Sequence, residues 1–88
     1  MITLRVRFAD AFDVKKMDDQ TKRFTDEAAA SDWIYKNRKI IRRVNDEPLG
    51  GFTYKKSELL LLLTNPEEFA EIRWQKYQAV SEQNYKEI

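Results

Sequence analysis

Five cations, Lys36, Arg38, Lys39, Arg42 and Arg43, fall between residues 36 and 43 with no acid among them. Arg5, Arg7, Lys22 and Arg23 stand on segments that read as neighbouring strands. Together these side chains would build a basic sheet face. Phosphate contacts from such a face give salt-sensitive, largely sequence-independent binding of nucleic acid. Tyr35 is close enough in sequence to stack on a base. The same residues also suit a solvated sheet surface and a helix C-terminus, and a net charge of +1 weighs towards that plainer role.

A second constellation is aromatic. Trp74, Tyr77 and Tyr85 lie along one stripe of the last helical segment, with Arg73 beside them. Trp, Tyr and Arg are enriched at the energetic centres of protein interfaces, so this stripe predicts a protein partner or a second copy of the chain in a homodimer. The alternative is that it packs on the leucines that precede it.

Other chemistry finds few candidates. The chain has no cysteine and no histidine, which removes thiolate and imidazole metal sites, the cysteine nucleophile and the commonest general base. Asp10, Asp13, Asp18 and Asp19 lack the glycine and terminal glutamate of a calcium loop and suit turns instead. Asp13-Val14-Lys15 superficially resembles the acidic-x-Lys element of some nucleases, but no separate acidic strand residue stands at a persuasive spacing. Ser31, Ser57 and Ser81 have no evident base, and Gly50-Gly51 alone does not make a phosphate loop. Enzyme is the least supported class: no catalytic residue, cofactor, metal or small-molecule substrate is expected.

The elements that must position these residues follow from periodicity. Ile2, Leu4, Val6 and Phe8 alternate with Thr3, Arg5 and Arg7, the pattern of a strand with one buried face, and Phe12 and Val14 extend it or begin another. Residues 17–20 read as a turn and residues 21–24 as a returning strand. Thr25 is placed to cap a helix that opens with two acids and lays Trp33 and Ile34 on the sheet. Ile40 to Val44 is expected to be a strand of mixed pattern, residues 46–51 a single loop, and Phe52 and Tyr54 part of its partner strand.

Ser57 can cap a helix through Leu59 to Leu63. Five consecutive leucines cannot share one helix face, so burial on more than one side is expected, and Leu61→Asp should unfold the domain. A buried strand over residues 58–64 is the alternative, which the lack of β-branching disfavours. Asn65-Pro66-Glu67-Glu68 is a strong start for a final helix reaching about Tyr85, with Phe69, Ile72, Lys76 and Val80 as its inner stripe.

Eighty-eight residues bury one modest core, so residues 1–88 read as a single α+β domain. The predicted fold is a three- to four-stranded, mainly antiparallel sheet with helices on one face, in the order β-β-α-β-β-α-α. Charges at the N-terminus exclude a signal-peptide core there. The leucine run is far short of the roughly 20 apolar residues that span a bilayer. A soluble, cytoplasmic protein without a membrane partner is expected. Residues 1–56 carry 13 Lys/Arg against 9 Asp/Glu, and residues 57–88 carry 3 against 6. That asymmetry marks a partner surface or, as the plainer reading, holds two halves of one domain together by opposite charge.

No motif specific to one family is present. In style the chain resembles small accessory proteins of phages and other mobile elements, being short, rich in Lys, Asn, Glu and Tyr, and free of cysteine. Phe24-Thr25-Asp26-Glu27-Ala28 leading to Trp33-Ile34 is similar to a strand-to-helix junction of such proteins. The resemblance implies a stoichiometric binder of a host or competitor protein, such as an anti-CRISPR-like inhibitor.

Overall fold

The computed structural model describes residues 1–8 and 19–86, with side chains up to Ser81. Expectations for Phe12, Val14, the turn at residues 17–18, Asp10, Asp13, Asp18 and the Asp13-Val14-Lys15 element lie outside the described residues, as does the Tyr85 side chain.

The fold is α+β. Strands β1 (Ile2–Phe8), β2 (Gln20–Phe24), β3 (Ile41–Val44) and β4 (Glu47–Pro48) form an antiparallel sheet in the order β2-β1-β3-β4. Helices α1 (Glu27–Asn37), α2 (Lys56–Thr64) and α3 (Pro66–Lys86) pack with it in the chain order β-β-α-β-β-α-α. Among the described residues no helix is long and apolar enough to cross a membrane.

The alternation in β1 does what its period dictates, burying Leu4 and Val6 while Thr3 and Arg5 face solvent. Ile34, Ile41, Val44, Leu59, Leu62 and Phe69 close the core against them. Trp33 wedges between Phe8, edge-on at 6.1 Å, and Phe24 at 5.5 Å, fixing α1 on the sheet. The cap of α1 is Asp26 rather than Thr25, its Oδ1 accepting from the Ala29 N–H at 2.8 Å. Asp26 is the better N-cap of the two adjacent candidates, and its charge meets the positive helix end.

The mixed pattern of β3 has a specific cause. Arg7 pairs with Arg43, but Phe8 pairs with Ile41, so Arg42 is an extra residue in the ladder. This bulge lets Ile41 and Val44 both reach the core while Arg42 and Arg43 both stay in solvent.

Three local expectations are corrected. The loop over residues 46–51 is two turns with a strand between them. Asn45 and Asp46, at φ 50° and 68°, make a two-residue hairpin turn, and β4 follows at once. Phe52 and Tyr54 are therefore not the partner strand, because Glu47 and Pro48 take that place opposite Val44 and Arg43. Helix α2 is capped at Lys55, whose N–H donates to the Glu58 carboxylate at 2.8 Å, and not by Ser57.

The leucine run is helical, and its burial falls on Leu59 and Leu62; Leu61 is only half-buried. Residues spaced by three share a helix face, so the strongest core positions are those two and not the middle of the run. The start of α3 is as expected, with the Glu68 N–H donating to Asn65 Oδ1 at 3.3 Å. Phe69 is fully buried, but Val80, expected on the inner stripe, is exposed because α3 runs past the elements that would cover it.

Candidate functional site

Two surfaces are assembled by these elements. The first surrounds the C-terminus of α1 and the bulged strand β3. Arg38, Lys39, Arg42 and Arg43 line one wall of an open groove of about 670 Å³, and the residues from Pro48 to Thr53 line the other. Its apolar floor includes Ile41 and Leu49. The Leu49 N–H donates to the Arg42 carbonyl at 3.0 Å, which holds the two walls together. Gly50 and Gly51, at φ 71° and 72°, turn the chain across the groove in a conformation that side-chain-bearing residues adopt reluctantly. Added as a methyl, a Cβ at Gly51 would meet nothing within 4 Å, so the backbone there is open to an approaching group.

Not all the cations expected on one face share it. Arg42 and Arg43 are exposed by the bulge, and Lys39 lies in the turn after α1. Among the described residues these three make no ion pair. Arg38 is held in place, its guanidinium 4.4 Å over the Tyr35 ring and donating to the Tyr35 carbonyl at 2.6 Å. Lys36 is on α1 and pairs with Asp32 at 3.0 Å. Arg5 pairs with Asp46, and Arg7 with Asp19 at 3.0 Å, so both are largely neutralised.

Lys22 sits opposite Leu4 in the ladder, and therefore on the core side of the sheet, where its Nζ lies 5.9 Å from the Phe8 ring centroid. It does not belong to the basic face. Tyr35 is already engaged as a stacking partner by Arg38, and by Lys56 at 5.3 Å. The residue that sequence reasoning missed is Phe52, half-buried on the far wall. Its only signal was proximity to the glycine pair, since the pairing that brings residues 42 and 49 together is not a local pattern.

The second surface is on α3. Trp74 and Tyr77 are 56% and 54% exposed, and their rings stack on each other at 5.6 Å with an interplanar angle of 19°. Val80, 45% exposed, follows them at the same spacing. More than half of Trp74 and of Tyr77 is left to solvent. Arg73 turns the other way, donating to Glu47 Oε2 at 2.9 Å and to the Pro48 carbonyl at 3.0 Å, which clamps α3 to β4.

The remaining candidates are structural. Ser31 is buried and donates to the Ala28 carbonyl at 3.0 Å, while Ser57 and Ser81 are exposed on helices. Among the described residues no three His, Cys, Asp or Glu side chains converge as a metal site would require. The Asp32 carboxyl is held below the ordinary carboxylate range, first by its hydrogen bond to Lys36 and then by that to Lys56, which links α1 to α2. No family model matches this chain, and neither the curated proteins nor the solved structures contain a match to it.

Proposed function

We propose that the protein is a non-enzymatic protein-binding module that works through the outer face of α3. The observation that carries this reading is the stacked, half-exposed Trp74–Tyr77 pair. Two large aromatic rings left in water gain free energy when a partner covers them, at about 25 cal/mol per Å² of apolar surface removed. Because they already stack on each other, little rotamer freedom remains to be lost on binding. Val80 continues the apolar strip, and the Arg73 clamp holds its helix in position. The resemblance to mobile-element accessory proteins makes the partner a host or competitor protein bound stoichiometrically, in the manner of an inhibitor or regulator, in the cytoplasm. A second copy of the chain is the other occupant of the same face.

Light scattering of the wild type and of Trp74→Ala/Tyr77→Ala separates self-association from binding of another protein. A wild type that is monomeric at high concentration excludes the homodimer. Affinity capture should then retain a defined protein at a one-to-one ratio on the wild type and lose it on the double variant, with both baits melting alike. Equal retention by both baits would sink the α3 reading.

A further inference from the structure

We propose that the groove between β3 and the Gly50–Phe52 segment binds the backbone of single-stranded nucleic acid, with phosphates on Lys39, Arg42 and Arg43 and a base against Phe52. This site is separate from the α3 face and does not depend on its role.

The first argument is electrostatic. Arg5, Arg7, Lys36, Lys56, Arg73 and Lys76 each pair with an acid, whereas Lys39, Arg42 and Arg43 do not among the described residues. These three line one concavity together with Arg38, and no acid lines it. Side by side along one wall above an apolar floor, they concentrate positive potential where an anion can enter. The bulge in β3 supports this reading, because regular pairing would turn Arg42 inward if Arg43 faced out.

The second argument concerns the opposite wall. A site for inorganic anion alone needs no apolar lining, yet Ile41, Leu49 and the half-buried Phe52 supply one. A positively charged track beside an aromatic ring is the arrangement that holds single strands, whose bases are free to stack. Duplex DNA keeps its bases stacked inside and would leave that wall unused. The open backbone at Gly51 lets a sugar–phosphate chain pass without meeting a side chain. Arg38, immobilised on Tyr35, gives the track a fixed end.

The test is fluorescence anisotropy of labelled twelve-residue oligothymidine and oligouridine across a sodium chloride series. Parallel arms use a duplex of the same length, heparin and polyglutamate. With about three phosphates neutralised, log K against log salt should fall with a slope of about −2. Arg42→Ala/Arg43→Ala should abolish binding; both side chains are in solvent, so the fold is retained. Phe52→Leu keeps every charge and should weaken single-strand binding by about fivefold or more, the lower end of what one base–aromatic stack contributes. Trp74→Ala/Tyr77→Ala should bind as the wild type does, which separates this site from the α3 face. The proposal is overturned by absence of binding at 50 mM salt. It is equally overturned if heparin and polyglutamate bind as tightly as the oligonucleotides and Phe52→Leu changes nothing, which would reveal only a general attraction for polyanions.

Discussion

Tyr54 shows how much one side chain holds in place. It is buried, its hydroxyl donates to the Leu49 carbonyl at 2.5 Å, its ring lies 5.1 Å from Phe69, and the Lys76 ammonium sits 5.3 Å from its centroid. It therefore joins the far wall of the groove to α3. Tyr54→Phe removes only the oxygen and leaves a carbonyl without its partner, a loss of about 1–2 kcal/mol. Burial, more than any neighbouring charge, pushes the phenol up to about 12 from its ordinary value of 10.0. The folded state then keeps a proton that the unfolded chain releases, so this contribution is intact below pH 10 and is lost as pH rises towards 12. Chemical denaturation at successive pH values should show the wild type losing stability across that window more steeply than Tyr54→Phe. Parallel curves would mean that the hydroxyl is not buried as described.

The β3–β4 hairpin is the element on which the basic groove depends. Asn45 and Asp46 both lie in the left-handed region, where L-residues are strained by roughly 1–2 kcal/mol and Asn and Asp are the least disfavoured. Asn45 also exchanges hydrogen bonds with the Arg5 backbone, accepting at 2.9 Å through Oδ1 and donating at 2.8 Å through its own N–H. Asn45→Ala should cost about 1–2 kcal/mol, and Asn45→Gly, which relieves the backbone but loses the side-chain bond, about half of that. Similar thermal shifts for the two would mean that backbone conformation is not what Asn45 supplies. At the other turn, Gly50→Ala should be the more damaging of the two glycine substitutions. Both are strained at positive φ, but only at Gly50 would the new Cβ meet the Phe52 ring, at 2.8 Å.

These two turns also mark how far the sequence could be read. The alternation of β1, the Asn65–Pro66–Glu68 helix start and the helical preference of the leucine run were legible because each is encoded by residues adjacent in the chain. The hairpin was not. Gly50-Gly51 is the louder turn signal, and it drew the loop away from Asn45-Asp46, a quieter dipeptide suited to the same backbone. The bulge at Arg42 was visible only as an irregular pattern, because a ladder register is a relation between strands. The cations could be named from the sequence. Which of them were unpaired could not, since Asp19 and Asp46 reach Arg7 and Arg5 only after folding.

At the scale of the whole molecule, the opposed charges of the two halves do not bind them together in the way composition suggests. Among the described residues the ion pair joining residues 1–56 to residues 57–88 is Arg73 with Glu47, a cation from the acidic half and an acid from the basic one. Its strength comes from local geometry and partial burial rather than from net charge. Arg73 and Glu47 are 24% and 31% exposed, against 56% and 64% for Arg5 and Asp46. Arg73 also donates to the Pro48 carbonyl, so its removal leaves two acceptors without a donor. A double-mutant cycle with Arg73→Met and Glu47→Gln should give a coupling of about 1–2 kcal/mol, whereas Arg5→Met with Asp46→Asn should give less than about 0.5 kcal/mol in the same salt. The same clamp governs α3 beyond it, where Tyr77 to Ser81 are all exposed. Amide hydrogen exchange in the wild type should be slow around Phe69 to Arg73 and faster past Tyr77, and Arg73→Met should carry the fast region back towards Phe69. An unchanged exchange boundary in that variant would show that burial of Phe69 alone positions α3. The outer face of Trp74 and Tyr77 would then be set by the core, and the clamp would serve β4 and the groove instead.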